Sequence, residues 1–349
     1  MVLPQFHPFP ENDEWWGKGF TEWTNTVKAR PRYKGHYQPQ LPADLGFYDM
    51  RLLQTLCDQA NLAKEYGLYG FCYYHYWFNG KMLMERPLQE ILKSDRPDFP
   101  FMLAWANENW SRRWDGKDKE VLIEQKYSLE DHRQHATYLC QKVFSDPRYI
   151  KIGGKPFFLF YNTHIIPDLP EAVKIWREVA RENGFDDLYL GGIITSSEFE
   201  VNAQEVGLDL VIDWQPDWSH LKIIPGLIQR IKNKLGLGQT YRKIDYAEVV
   251  QRMKSKPSFT QKHFKALVPG WDNSARRKND AFIMHDATPE LYEDWLDHTC
   301  KTTTIYSEEE NFLFINAWNE WAEGNHLEPD KKWGRAFLET TKKILSKYA

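Results

Sequence analysis

The chain has 349 residues, 42% of them hydrophobic and 27% charged, with a formal net charge of −4 and a pI near 6.3. That length fits one α/β barrel domain, and the composition is that of a soluble globular protein able to bury a large core. The mild acidity offers no basic field to nucleic acid or an anionic membrane, and no apolar run nears the ~18–20 residues that a membrane span requires.

The first residues, Met-Val-Leu-Pro-Gln-Phe-His-Pro, lack the charged and long apolar regions of a signal peptide, so the sequence as given reads as soluble and by default cytoplasmic. A polar, aromatic loop follows the short run Val2-Leu3 and contains Trp15, Trp16, Glu22 and Trp23. Tyr48 to Tyr66 carries Leu52, Leu53, Leu56, Ala60 and Ala63 at helical spacing, and Gly67 caps it. Gly70–Tyr74 is the second strand-like run and leads into His75-Tyr-Trp77-Phe-Asn79-Gly80. Glu85 to Lys93 reads as a short helix and Phe99 to Ala106 as the third strand, ending in Asn107-Glu108-Asn109-Trp110. A loop with Arg112, Arg113, Trp114 and Asp115 leads to a helix at Leu129–Val143.

Pro156–Tyr161 is the fourth strand, followed by a helix at Leu169–Asn183. Leu188–Ile194 and Leu208–Trp214 are the fifth and sixth strands. Residues 219–262 read as an insertion, basic in its middle (Arg230, Lys232, Lys234, Arg242, Lys243), where a solvated face is the plainer account than an acidic ligand. Lys265–Pro269 is the seventh strand, Pro289–Thr303 a helix, Phe312–Ile315 the eighth strand and Trp333–Tyr348 the last helix. Eight strands with connections mostly long enough for crossover helices predict a single-domain (β/α)₈ barrel over residues 1–349, an open doubly wound sheet being the alternative.

Polar residues gather after the strands, where barrel enzymes build their sites. The richest cluster is Asn316-Ala-Trp318-Asn319-Glu320-Trp321-Ala-Glu323-Gly324. Two carboxylates three residues apart on a turn can aim at one cleft, which suits acid/base chemistry on a sugar; a loop of idle solvated acids is the bland alternative. One glutamate would have to be held protonated, by an apolar wall or a like charge, and Trp318 and Trp321 could supply that wall. Glu108, after Asn107, is a second candidate acid or a sugar-binding residue. His75, Asp213 and Asp272 also follow strands; each alone is more often a loop hydrogen-bonding residue, but with Glu320 and Glu108 they would form a polar pocket at one barrel mouth.

The 15 Trp, 18 Tyr and 20 Phe include several in polar company (Trp15, Trp16, Trp77, Trp110, Trp114, Trp218), where flat faces suit sugar rings. A carbohydrate substrate is therefore the expected partner, and its candidate contacts are His75, Trp77, Asn107, Glu108, Trp110, Tyr161, Trp214, Trp271, Asp272, Asn319 and Trp321. No phosphate-cradling Gly loop, dinucleotide fingerprint, nucleophile elbow or zinc motif is present, so neither cofactor nor metal is expected. Cys57, Cys72, Cys140 and Cys300 are widely spaced, form no C-x-x-C and read as buried free thiols.

Leu3-Pro-Gln-Phe-His-Pro, Glu11-Asn-Asp-Glu-Trp-Trp-Gly-Lys-Gly-Phe-Thr-Glu-Trp-Thr-Asn25, Gly70-Phe-Cys-Tyr-Tyr-His-Tyr-Trp-Phe-Asn-Gly80, Trp105-Ala-Asn-Glu-Asn-Trp110, Pro269-Gly-Trp-Asp-Asn273 and Trp318-Asn-Glu-Trp-Ala-Glu-Gly324 together resemble the WbsX-like proteins. These are glycoside hydrolase family 99-like proteins often found in bacterial O-antigen and capsule loci, and the likeness covers nearly the whole chain. The last motif also resembles that of family 99 proper, the endo-α-mannosidases and endo-α-mannanases, whose barrel holds no metal. That resemblance implies a retaining route through a 1,2-anhydro sugar, with Glu320 as base on the substrate 2-hydroxyl and Glu323 as acid/base. Position 322 is Ala where family 99 often has His, and other loops depart from the mannosidases, so the substrate is open. WbsX-like proteins have also been labelled glycosyltransferases, which is the alternative activity.

Overall fold

The computed structural model describes residues 1–112, 117–223 and 240–348. Arg113, Trp114 and Asp115, and the basic residues Arg230, Lys232 and Lys234, lie outside the described residues.

The fold is organised by a curled parallel sheet. Its parallel strands pair in the order Leu313–Ile315, His263–Leu267, Leu210–Asp213, Tyr189–Ile194, Lys155–Phe160, Phe101–Trp105 and Phe71–Phe78. Phe101–Trp105 and Tyr189–Ile194 are buried at every position, as expected of parallel strands covered on both faces. Neighbouring side chains crowd the sheet at Gly191 and Gly192. A Cβ on the first would lie 2.6 Å from Leu159 Cδ2, and one on the second 2.8 Å from Thr163 Cγ2, so a larger residue at either position would force those side chains to shift.

Residues 1–3 bond to both ends of this run of strands. Val2 N–H donates to Cys72 O (2.8 Å) and Val2 O accepts from Tyr74 N–H (3.1 Å), while Met1 N donates to Ile315 O (2.8 Å). The Asn319 side chain then grips Leu3 on both sides, its Oδ1 accepting from Leu3 N–H (2.8 Å) and its Nδ2 donating to Leu3 O (3.0 Å).

Helices cover the outer face. Leu129–Lys142 begins at Ser128, whose hydroxyl accepts from Asp131 N–H, and Pro289–Thr302 begins at Thr288, which caps Leu291 N–H. Both satisfy amide groups that a helix start leaves unbonded. Leu169–Glu182 buries Val173, Trp176, Val179 and Ala180. Among the described residues no helix is long and apolar enough to cross a membrane. All four cysteines are free thiols, Cys300 being half-buried and the others buried.

Local differences from the sequence reading have simple causes. Trp110–Arg112 and Lys117–Ile123 form an antiparallel pair where the sequence suggests a loop, because pairing satisfies backbone groups of a polar segment without a core pattern. Within 219–262, Tyr241–Asp245 is a strand parallel to Ala281–His285, and Tyr246–Ser255 is a helix capped by Asp245.

Candidate active site

The Glu320/Glu323 segment leaves the Leu313–Ile315 strand and folds back on itself. Asn319–Glu320 pairs antiparallel with Asn325–His326, and the intervening Trp321–Glu323 is a single 3₁₀ turn. Gly324 ends the turn at φ 55°, a left-handed conformation, with Asp272 Cβ 2.9 Å from where its own Cβ would be. Only glycine meets both demands. The turn is held from below by Glu328, a buried carboxyl that accepts from Trp321 Nε1–H (2.7 Å), Tyr48 O–H (2.8 Å) and Gln59 Nε2–H (2.7 Å). Burial nonetheless pushes Glu328 up to about 7.

Above the turn lies a cavity of about 190 Å³. Tyr74 and Tyr76 enter it from the Phe71–Phe78 strand, and Glu108 and Trp110 follow the Phe101–Trp105 strand. Tyr161 follows Lys155–Phe160, Trp214 and Trp218 follow Leu210–Asp213, and Trp271 and Arg276 follow His263–Leu267. Asn316, Glu320 and Glu323 complete the wall. Each follows a parallel strand or, for Tyr74 and Tyr76, lies within one, at one mouth of the curled sheet. The aromatic rings brace one another: Tyr74 meets Tyr161 edge-on at 5.8 Å, Tyr76 meets Trp110 at 5.3 Å and Trp218 meets Trp271 at 5.3 Å.

The electrostatics divide the two glutamates. Glu320 is 6% exposed, and its Oε2 is buried without a hydrogen-bond partner among the described residues. Burial, and then the neighbouring Glu323 charge, raise its pKa well above the ordinary carboxyl value, although Arg276 opposes this. Glu323 forms an ion pair with Arg276 Nη2. Burial works against the Arg276 charge, yet Glu323, Glu320 and Glu22 outweigh it and hold the guanidinium protonated. Glu22, fully buried, accepts from Ala322 N–H (3.0 Å) and is pushed by burial to about 7, with Arg276 pulling down and Glu323 pushing up. Tyr74 and Tyr76 are held neutral by burial and, less, by the Glu320 charge. The arrangement places a group that favours the acid form beside one paired with a cation, which is what proton exchange between donor and base requires.

The cavity thus brings together Glu320, Glu323, Glu108, Trp110, Tyr161, Trp214 and Trp271 of the residues singled out by sequence. The remainder have other surroundings. His75 Nε2 lies 2.9 Å from His135 Nε2, and Trp77 stacks on His135 at 4.5 Å and donates to Asp131 Oδ1 (2.8 Å), so both point outward under a helix. Asn107 bridges Asn162 N–H and C=O, fixing the backbone whose Asn162 side chain donates to Glu108 Oε1 (2.7 Å). Asp272 lies 2.6 Å from His36 Nε2, accepts from Gln38, and faces a second cavity of about 340 Å³ across Trp271. Asn319 grips Leu3, Trp321 binds Glu328, and Asp213 pairs with Lys256 (2.6 Å). Trp318 packs on Phe71, so the dry wall around Glu320 is made by other rings.

Sequence reasoning did not single out Arg276, Tyr74, Tyr76 or Glu22 as site residues. Arg276 sits four residues beyond Asp272 in a loop following a strand, and Glu22 lies inside a segment quoted for its resemblance; those positions are the available signals. As to metals, Asp245, His285 and Asp286 bring ligand atoms within 4.8 Å of one another, but largely exposed and outside the cavity.

A family model described as Glycosyltransferase WbsX matches residues 1–341. The WxcX proteins of two strains of Xanthomonas campestris pv. campestris are each 39% identical over 349 residues, covering 99% of this chain and 49% of theirs, so the chain spans about half the length of these curated relatives. Among solved structures, a GH99 endo-alpha-mannosidase from Bacteroides thetaiotaomicron has a TM-score of 0.59 at 12% identity, over 99% of this chain and 96% of that one. A glycoside hydrolase-like protein has a TM-score of 0.60 at 12% identity, over 91% and 90% of the two chains. At such identity the likeness is one of fold.

Proposed function

The chain belongs to the WbsX glycosyltransferase family, and we propose that it is a carbohydrate-active enzyme whose aromatic cavity breaks a glycosidic bond in a bacterial surface polysaccharide. The observation that carries this reading is the pairing of Glu320, driven towards its neutral form, with Glu323, held by Arg276, inside a pocket walled by Trp and Tyr faces. In the finer form of the reading the enzyme is a retaining, endo-acting hydrolase of an α-mannoside-like linkage. The sugar's own 2-hydroxyl displaces the leaving group and a 1,2-anhydro sugar forms, so two carboxyl groups suffice without an ester to the protein. Glu108, Trp110, Tyr161, Trp214 and Trp271 would orient the glycan, and Asn107, Asp272, Asn319, His75, Trp77 and Trp321 support the walls they stand behind. Neither cofactor nor metal is part of the proposal. The scaffold is read as a (β/α)₈ barrel in which residues 1–3 occupy the position between the Phe71–Phe78 and Leu313–Ile315 strands.

The 2-hydroxyl makes the test specific. A glycoside cleaved by the protein should become inert as its 2-deoxy or 2-fluoro analogue, with no mass added to the intact protein. A stoichiometric adduct on Glu320 or Glu108 from a 2-fluoro sugar with a good leaving group would replace this scheme with a direct nucleophile. A second reading, glycosyl transfer during polysaccharide assembly, is favoured by the family's own description. Calorimetric binding of sugar nucleotides, with no cleavage in their absence, would select it.

A further inference from the structure

The cavity of about 340 Å³ on the far side of Trp271 falls within the size range of ligand pockets, about 300–1,000 Å³. It lies between the loop that follows His263–Leu267 and the return of the Glu323 turn at Gly324 and His326. Tyr37, 37% exposed, and the half-buried Trp333 bring aromatic rings to its wall. Lys332 Nζ stands 5.4 Å from the Tyr37 ring centre and 4.8 Å from that of Trp333, and Lys243 Nζ stands 4.7 Å from that of Tyr33. Lys34 lines the same cavity, and among the described residues none of these three lysines forms an ion pair with a carboxylate. The carboxylates of the wall are committed elsewhere. Asp272 accepts from Gln38 and Ser274 and lies against His36, and Asp286 Oδ2 is 2.7 Å from His285 Nδ1. Asp330 Oδ1 accepts Lys332 N–H (2.8 Å) and Trp333 N–H (2.6 Å), and its Oδ2 is 3.3 Å from His326 Nε2. The uncommitted charge of the cavity is therefore positive. His326 is 7% exposed and stacked on Trp321 at 3.8 Å. A carboxylate can only accept, so the His326 ring proton sits on Nε2 and Nδ1 keeps an acceptor lone pair. That Nδ1 has no hydrogen-bond partner among the described residues, a cost that a donor hydroxyl would relieve.

We propose that this second cavity binds an acidic sugar, a uronate unit of the glycan, at a subsite separate from the cavity that holds Glu320 and Glu323. The choice of a sugar rests on the carbohydrate reading above, while the charge and the aromatic wall belong to the cavity itself. A uronate answers all three of its features. Its carboxylate meets the ammonium groups of Lys34, Lys243 and Lys332, the C–H face of its ring lies on Tyr37 or Trp333, and one of its hydroxyls donates to His326 Nδ1. A neutral hexose lacks the first match and inorganic phosphate lacks the apolar face. Trp271 lines both cavities, so the acidic unit is held beyond that indole from the bond being broken.

The test follows the indole N–H resonances of the ¹⁵N-labelled protein, with that of Trp333 assigned by its loss in Trp333→Phe, during titration with methyl glucuronoside, methyl glucoside or inorganic phosphate. The glucuronoside should shift the Trp333 signal saturably, and the glucoside and phosphate should each bind about tenfold more weakly or worse, since each forgoes part of the match. Lys243→Met/Lys332→Met, two changes of exposed side chains, should abolish the preference for the glucuronoside over the glucoside, and Lys243→Arg/Lys332→Arg should keep it. No saturable shift of Trp333, equal affinity for glucuronoside and glucoside, or an unchanged preference in the folded methionine variant overturns the proposal. Phosphate binding as tightly as the glucuronoside overturns it too, by showing an anion site without sugar recognition. No bond is cleaved in these titrations, so their outcome is separate from whether the protein releases oligosaccharides.

Discussion

Replacing Gly324 with alanine tests how tightly the Glu323 turn is built. An L-residue in the left-handed region loses about 1–2 kcal/mol to strain alone. Gly334 supplies the control, since its φ of 56° nearly matches the 55° of Gly324 but an added Cβ there meets nothing within 4 Å. At Gly324 the same methyl would lie 2.6 Å from Gln40 Nε2, 2.9 Å from Asp272 Cβ and 3.2 Å from Asp272 N. The Gln40 amide can swing aside. Asp272 cannot, because its N–H donates to Glu323 O at 2.5 Å and its carboxylate is held by His36 at 2.6 Å and Gln38 at 2.7 Å. Overpacking of this kind adds about 1–3 kcal/mol. Gly334→Ala should therefore lose about 1–2 kcal/mol and Gly324→Ala about 2–5 kcal/mol. Urea unfolding of both variants beside the wild type, compared at constant m value, reads the difference. Equal losses would refute the close approach of Asp272 to the turn and, with it, the placement of Glu323.

Removing the Asn319 side chain strands the buried N–H and C=O of Leu3, so Asn319→Ala should cost about 2–4 kcal/mol in the same assay; a loss below ~1 kcal/mol would contradict that bridging role. Burial pushes His75 down to about 3, below its unfolded value near 6.5, so the folded state binds fewer protons and stability drains as pH falls below about 6.5. By pH 5 this amounts to about 2 kcal/mol, and His75→Gln should show a flatter acid limb; an unchanged slope would contradict the buried neutral pair. Glu22 and Glu328, raised to about 7 by burial, act in the opposite sense, their contribution being full below about 4.5 and lost as pH rises through 7. Trp110→Ala, placed in the Glu320→Gln/Glu323→Gln background so that no turnover intervenes, should weaken glycan binding about tenfold by calorimetry through loss of a stacking face. Undiminished affinity would remove Trp110 from the binding wall.

How far the sequence disclosed this arrangement depends on the range of the interactions involved. The parallel strands are legible because burial on both faces makes them short apolar runs, and Phe101–Trp105 and Tyr189–Ile194 lie within the predicted bounds. Glu320 and Glu323 are legible because one turn carries both. His75 and Trp77 illustrate what a motif hides: side chains alternate along a strand, so Tyr74 and Tyr76 face the cavity while their neighbours face the helix behind. Arg276 and Glu22 escape for a different reason. Their partners are 47 and 300 residues away along the chain, and no local pattern records which cation meets which carboxyl. Asp272, a residue expected to hold substrate, instead braces the Glu323 turn by its N–H and keeps its carboxylate for His36.

The central claim is that Glu320 and Glu323 together act on a glycosidic bond. The most direct measurement incubates intact bacterial surface polysaccharides, without added sugar nucleotide, with the wild-type protein and with the Glu320→Gln/Glu323→Gln double variant, and follows released oligosaccharides by mass spectrometry. The account predicts release from at least one polysaccharide by the wild type and none by the folded double variant. Equal release by both, or glycan modification only when a sugar nucleotide is supplied, would contradict it.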